Sequence, residues 1–223
     1  MSEKLNKGFD IPKEELEERI GFSTQLPDGI NVVPLRQIRR TQSVVVMSNE
    51  EMNSFLRGVP LISAKDIFPY KTADISKHTS GANGLCVAQK FIQRSKLLSL
   101  LEGLNPLYDG FCFPGLAHRQ AHYVIGFDRE DDMVAGVYFP PLLEIVGIQA
   151  LLIDGNHRQS LCGSVGTPIE TVIIKGSSVD PPYKGVPWKH QKFVDEKPFH
   201  LSERYLDFNP SLLKDFDYVG IDG

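Results

Sequence analysis

The chain has 223 residues, of which 41% are hydrophobic and 23% charged, and its net charge is −4. Such values describe an ordinary globular chain long enough to bury a core, and they exclude wholesale disorder. They also argue against a protein that coats duplex DNA through its overall field, while leaving room for a local basic groove.

The cysteines, Cys86, Cys112 and Cys162, are odd in number and widely spaced, so neither a disulfide framework nor a structural zinc site is expected. The polar start, Met1-Ser2-Glu3-Lys4, carries no apolar leader. No run reaches the roughly 20 apolar residues of a membrane helix, so the expected compartment is the cytoplasm.

Residues 1–30 are expected to be an N-terminal extension without chemistry, bearing a short, charged, surface-lying helix over Ile11–Ile20. Asn31–Leu35 reads as a strand, with Pro34 suggesting an edge position. Val44, Val45 and Val46 make a second strand within Gln42–Met47. Ser48 and Glu51 have capping-box spacing, which predicts a helix running to Gly58 with Met52, Phe55 and Leu56 inward. Ala88, Phe91, Ile92, Ser95, Leu98 and Leu101 keep a helical period, which predicts a helix over Leu85–Leu101. Tyr123–Phe127 and Met133–Phe139 read as a hairpin around the acidic turn Asp128–Asp132. Strands follow at Leu142–Val146 and Ala150–Ile153, then a helix at Asn156–Val165 and a strand at Ile169–Lys175. The order β-β-β-β-α-β predicts an α+β sheet domain over residues 31–176. Residues 177–223, rich in Pro and aromatics, are expected to pack on that core as an extended C-terminal arm.

The chemistry concentrates at one turn. Leu151-Leu152-Ile153 suits a strand covered on both faces, and Asp154-Gly155 breaks it. Asn156 is a good N-cap, with Gln159 at the capping-box position. Gly155 lets the backbone approach a ligand, and free N–H groups at a helix start attract anions. His157 and Arg158 add a proton carrier and a planar fork for phosphate oxygens. A charge-assisted hydrogen bond contributes about 1.5–3 kcal/mol, so losing Arg158 would weaken phosphate binding roughly ten- to a hundredfold. Asp154 would hold Mg²⁺, orient His157 or bind a ribose hydroxyl. The plain alternative is a capped strand-to-helix turn with Arg158 on the surface.

The run from Leu151 to Ile174 (LLIDGNHRQSLCGSVGTPIETVII) resembles the signature segment of the ParB/sulfiredoxin superfamily, in which a strand ends in a D-G-x-H-R-like turn. Val33-Pro34-Leu35 with Ile38, and the run from Tyr138 to Leu143, extend the likeness weakly upstream. The resemblance implies a small mixed α/β fold that binds phosphate-rich ligands at the turn. It implies catalytic roles for Asp154, His157 and Arg158. It also implies ligand contacts from Gly155, Asn156, His157, Arg158 and Gln159. Its cofactors would be ATP or another nucleotide with Mg²⁺, and its chemistry hydrolysis of phosphoanhydride or phosphodiester bonds.

Two departures narrow that expectation. Asn156 stands where sulfiredoxins carry a catalytic Cys, and Gly155-Asn156-His157-Arg158 replaces the G-E-R-R of partition proteins. A plasmid- or phage-borne effector of fertility-inhibition type remains. It would act on a nucleotide or single-stranded DNA, or, without catalysis, by blocking a conjugation or DNA-processing partner.

Three further clusters have two readings each. His118, Arg119 and His122 form either a second phosphate-facing group or ordinary surface before a strand; with Arg119 at the position of a zinc protease's Glu, a metal site is disfavoured. Arg36, Arg39 and Arg40, with Lys90, Arg94 and Lys96, line a nucleic-acid path or a solvated face. The acids from Asp128 to Asp132 attract a divalent ion or form a solvated hairpin tip. In the arm, Trp188 stacks on a base or anchors in the core.

Overall fold

A computed structural model describes residues 8–80, 85–98, 120–164 and 169–221. In chain order, β1 (Ile11–Pro12) leads into α1 (Lys13–Ile20). Left-handed Gly21 ends α1, its N–H donating to Glu17 O at 2.9 Å. β2 (Asn31–Val32) and β3 (Arg40–Val46) flank a 3-10 turn at Leu35–Gln37. Next come α2 (Asn49–Arg57), β4 (Asp74–Ser80), β5 (Cys86–Val87) and β6 (Phe91–Gln93). The following strands are β7 (His122–Phe127), β8 (Met133–Tyr138), β9 (Leu142–Val146) and β10 (Gln149–Asp154). Then come α3 (Asn156–Ser164), β11 (Ile169–Lys175), β12 (Val186–Pro187), β13 (Lys192–Val194) and α4 (Leu201–Arg204).

The strands form a five-stranded sheet in the order β1-β2-β8-β7-β3 and a six-stranded sheet in the order β12-β5-β10-β9-β11-β4. A two-stranded ribbon, β13-β6, stands beside them. The main core joins both large sheets to α1 and α2: Tyr123, Ala135 and Val137 share it with Leu142, Val172 and Ile174, and with Leu16, Phe55 and Leu56. Strand alternation sends Leu143 and Leu152 to the other face of the six-stranded sheet. There they meet Leu85, Val87 and Val186 under Trp188. Both faces of that sheet are therefore covered, which accounts for the unbroken apolar run Leu151-Leu152-Ile153. Trp188 serves as the anchor, not as an exposed stacking platform.

The α+β class and the succession from β7 to β11 agree with the sequence expectation. Several local expectations are corrected. The helix of residues 11–20 does not lie on the surface; Leu16 and Ile20 are buried in the core, and Ile11–Pro12 is a strand. Asn31–Leu35 shortens to two strand residues, because β2 is followed by Pro34 and a 3-10 turn. Ser48 does cap α2, its Oγ accepting the Glu51 N–H at 3.1 Å. Glu51 makes no capping box, however. Its side chain is fully buried and accepts hydrogen bonds from the Tyr123 hydroxyl at 2.6 Å and Gln25 Nε2 at 3.3 Å.

Of the helix expected over Leu85–Leu101, residues 85–93 are not helical, residues 94–98 are, and 99–101 lie outside the described residues. β5 pairs with β10 in parallel and with β12 antiparallel, and β6 pairs with β13. The partners that impose extended backbone come from β10 and, about a hundred residues away, from the C-terminal arm, where a local period cannot register them.

Candidate functional site

β10 delivers Asp154 to the start of α3. Gly155 turns the corner with φ +83°, and a Cβ there would stand 2.6 Å from Pro141 Cβ, so only glycine fits. The Gln159 N–H donates to Gly155 O at 2.8 Å, the first regular bond of the helix. Asn156 and Gln159 are 6% and 1% exposed, and among the described residues Asn156 Oδ1 and Gln159 Oε1 have no hydrogen-bond partner. The reciprocal capping box expected between them is not made.

Four residues apart, Asp154 and Arg158 lie within reach of each other across the turn. Arg158 Nη2 donates to Asp154 Oδ2 at 2.6 Å, and the two side chains are 11% and 14% exposed. Arg158 Nη1 donates to the carbonyl of Phe139, and the guanidinium lies 5.2 Å from the centroid of the Tyr138 ring. Sequence reasoning gave this guanidinium to phosphate and Asp154 to Mg²⁺, to His157 or to a ribose hydroxyl. The geometry gives them to each other and to the end of β8, where they lock strand, turn and helix together.

His157 projects toward β6. The Gln93 N–H donates to its Nε2 at 3.2 Å, so the neutral ring carries its proton on Nδ1. Burial first, then the charges of Lys197, Lys96 and Arg158, pushes its pKa down to about 4. Lys197 is pushed down to about 8, by burial and then by Lys96 and Arg204. Lys197 Nζ donates to Gln89 Oε1 at 2.6 Å, and Gln89 Nε2 to the Tyr205 hydroxyl at 3.1 Å. Arg204 Nε donates to Pro198 O at 2.6 Å. Among the described residues, neither Lys96 nor Lys197 has a carboxylate partner. Cations from the helical residues 94–98 after β6, from α3 and from the arm thus converge on one neutral imidazole.

Lys197, Arg204, Gln89 and Gln93 were missed by sequence reasoning. The residues from Gln89 to Arg204 span over a hundred positions, with no motif linking them. His122, read as a phosphate-facing candidate, is instead 1% exposed. Its Nδ1 bonds Gln120 O at 2.8 Å and its ring stacks on Tyr138 at 4.6 Å. His118 and Arg119 lie outside the described residues. The donors present do not suit a protein-held Mg²⁺, which takes oxygen ligands. The groups acting on His157 are cations and the Gln93 amide, and Asp154 is bound to Arg158. Among the described residues no three His, Cys, Asp or Glu gather as metal ligands.

The depressed His157 has a consequence for stability. Its folded pKa of about 4 lies below the ordinary 6.5, so protonation favours the unfolded chain. The stability it contributes is complete above pH 6.5 and disappears as pH falls toward 4. After screening by solvent at this partly exposed ring, about 1–2 kcal/mol is expected. Urea unfolding of the wild type and His157→Asn at pH 7.5 and 4.5 should show the gap between them change by that amount. A gap independent of pH refutes the assignment.

Neither a family model, nor a curated protein, nor a solved structure matches the chain.

Proposed function

We propose that the recess beside α3 binds the phosphates of a nucleotide, ATP or a relative, and that it binds without hydrolysing. The carrying observation is the convergence of Lys197 and Lys96 on neutral His157 at the first turn of a helix, with Arg204 beside Lys197 and, among the described residues, no carboxylate paired with these three cations. An oxyanion supplies the missing charge, the helix start adds its partial positive charge, and His157 Nδ1–H is a further donor. Binding, not bond cleavage, is the step these residues build, because the guanidinium best suited to a transition state is already bound to Asp154 and Phe139. Mg²⁺ enters only as the nucleotide's own counterion. The resemblance of Leu151–Ile174 to the ParB/sulfiredoxin signature supports the same ligand class. A protein of this kind senses a nucleotide and acts through a partner; on that resemblance, the partner belongs to conjugation or DNA processing.

Lys197→Gln tests the proposal in two directions. Loss of a charge-assisted contact should weaken ADP or ATP binding roughly ten- to a hundredfold in calorimetric titration at pH 7. Wild-type affinity should also fall as pH rises through about 8, where Lys197 gives up its proton, and the variant should lack that break. Meanwhile the free protein should become more stable. A lysine pKa lowered from 10.5 to about 8 contributes stability that is complete above pH 10.5 and gone below 8, so at pH 7 the charged side chain is a burden. Its removal should raise the melting temperature by roughly 2–4 °C, about 1 kcal/mol after screening. Undiminished nucleotide binding by Lys197→Gln refutes the site.

A further inference from the structure

We infer a second oxyanion site, separate from α3, in the cleft between the β7–β8 turn and the Leu35–Gln37 turn. The cleft holds about 380 Å³ and is lined by Arg36, Gln37, Arg39, Asp128, Arg129 and Glu130. Small-ligand sites start near this size, at roughly 300 Å³. Arg158 packs on Tyr138 at one end of β8, and the cleft lies beyond Met133 at the other. Five residues of strand separate those ends by roughly 17 Å.

The walls are fixed by backbone bonds. The Arg39 N–H donates to Phe127 O at 2.8 Å, and the Asp128 N–H to Asp132 O at 3.1 Å. The acidic run at the tip is largely spoken for. Asp128 Oδ1 accepts the N–H groups of Glu130 at 2.8 Å and Asp132 at 3.1 Å, so its charge shapes the turn. Asp131 lies 3.5 Å from Arg40, whose guanidinium covers the Phe127 ring at 4.3 Å. Arg39 and Arg129 are different. Both line the cleft, and among the described residues neither has a hydrogen bond or ion pair with its side chain.

Two open guanidinium forks facing one space match the oxygens of a phosphate group. Glu130, on the same lining, repels a bare polyanion and accepts a hydrogen bond from a hydroxyl; the Gln37 amide also offers an acceptor. The site therefore selects a small phosphomonoester that carries a hydroxyl. Its phosphate sits between Arg39 and Arg129, and its hydroxyl faces Glu130. This assignment is independent of the nucleotide proposal.

The full chain would be titrated with glycerol 3-phosphate, inorganic phosphate and glycerol at constant ionic strength, following arginine side-chain N–H resonances by NMR. Glycerol 3-phosphate should give saturable shifts, glycerol none, and inorganic phosphate should bind more weakly. Arg129→Ala, and Arg39→Lys, which keeps the charge but loses the fork, should each weaken binding about tenfold or more. Lys197→Gln should leave it unchanged. Both arginines are exposed, and a circular-dichroism melt of each variant at the wild-type temperature confirms that it remains folded. Shifts that never saturate, or saturation unaltered in Arg129→Ala, overturn the site. Equal affinity for inorganic phosphate and glycerol 3-phosphate overturns the ligand class.

Discussion

Arg158→Ala should lose about 3–5 kcal/mol of folding stability, among the largest effects of any single substitution in this chain. The guanidinium and the Asp154 carboxylate are 11% and 14% exposed, so truncating one leaves the other as a largely buried charge without its partner. The Phe139 carbonyl loses its donor at the same time, and the Tyr138 ring loses its cation. At roughly 2–4 °C per kcal/mol for a chain of this size, the melting temperature should drop by about 10 °C. The double variant Asp154→Ala/Arg158→Ala should recover part of the loss, because it strands no charge. Denaturant unfolding of the two single variants and the double variant measures the coupling. If Arg158→Ala stays within about 1 kcal/mol of the wild type yet loses nucleotide affinity, the guanidinium grips ligand and its structural role here is refuted.

The same residue shows where sequence reading reaches its limit. Local chemistry made the strand, the break at Asp154-Gly155 and the helix behind it legible, because each follows from neighbouring residues. The hairpin from Tyr123 to Phe139 and the strands after it were legible for the same reason. What Arg158 touches was not legible, since Phe139 lies nineteen residues upstream. The cations around His157 were harder still. Lys197 stands in an arm whose Pro-rich sequence suggested only packing, and its position follows from β13 pairing with β6. That pairing also explains why the first part of the helix expected over Leu85–Leu101 is absent: at residues 85–93 the apolar spacing satisfied a helical period while the partners called for strand, and the chain turns helical at 94–98. Glu51 misled in the opposite way, by fitting a capping motif while the core used its carboxylate. Residues whose role is set by contacts close in sequence were read well, and residues claimed by the arm or the core were not.

The arm's other hold on the sheet gives the second large effect. Lys214 Nζ lies 2.7 Å from Glu144 Oε1, and their side chains are 3% and 2% exposed, the most buried ion pair among the described residues. The Tyr70 hydroxyl also donates to Glu144 Oε1. Burial, then the nearby Glu144 charge, raises that phenol far above its usual range, so it remains a donor at any physiological pH. Glu144 sits on β9, paired with Leu151 of β10 and Ile174 of β11, so its carboxylate has no path to solvent through the sheet. Lys214→Ala should therefore lose about 3–5 kcal/mol, because the tyrosine alone does not compensate a carboxylate in that position. The segment need not detach. The Ile62 N–H still donates to Leu213 O, and the Asp215 N–H to Pro60 O, both at 2.8 Å. The loss should thus appear in global unfolding by urea without a separate early transition. Glu144→Leu/Lys214→Met, which replaces both charges by apolar groups of similar volume, should restore most of the stability, since a buried pair gains little over good packing. A double variant as unstable as Lys214→Ala would mean that the charges themselves hold the arm, and the desolvation argument would fail.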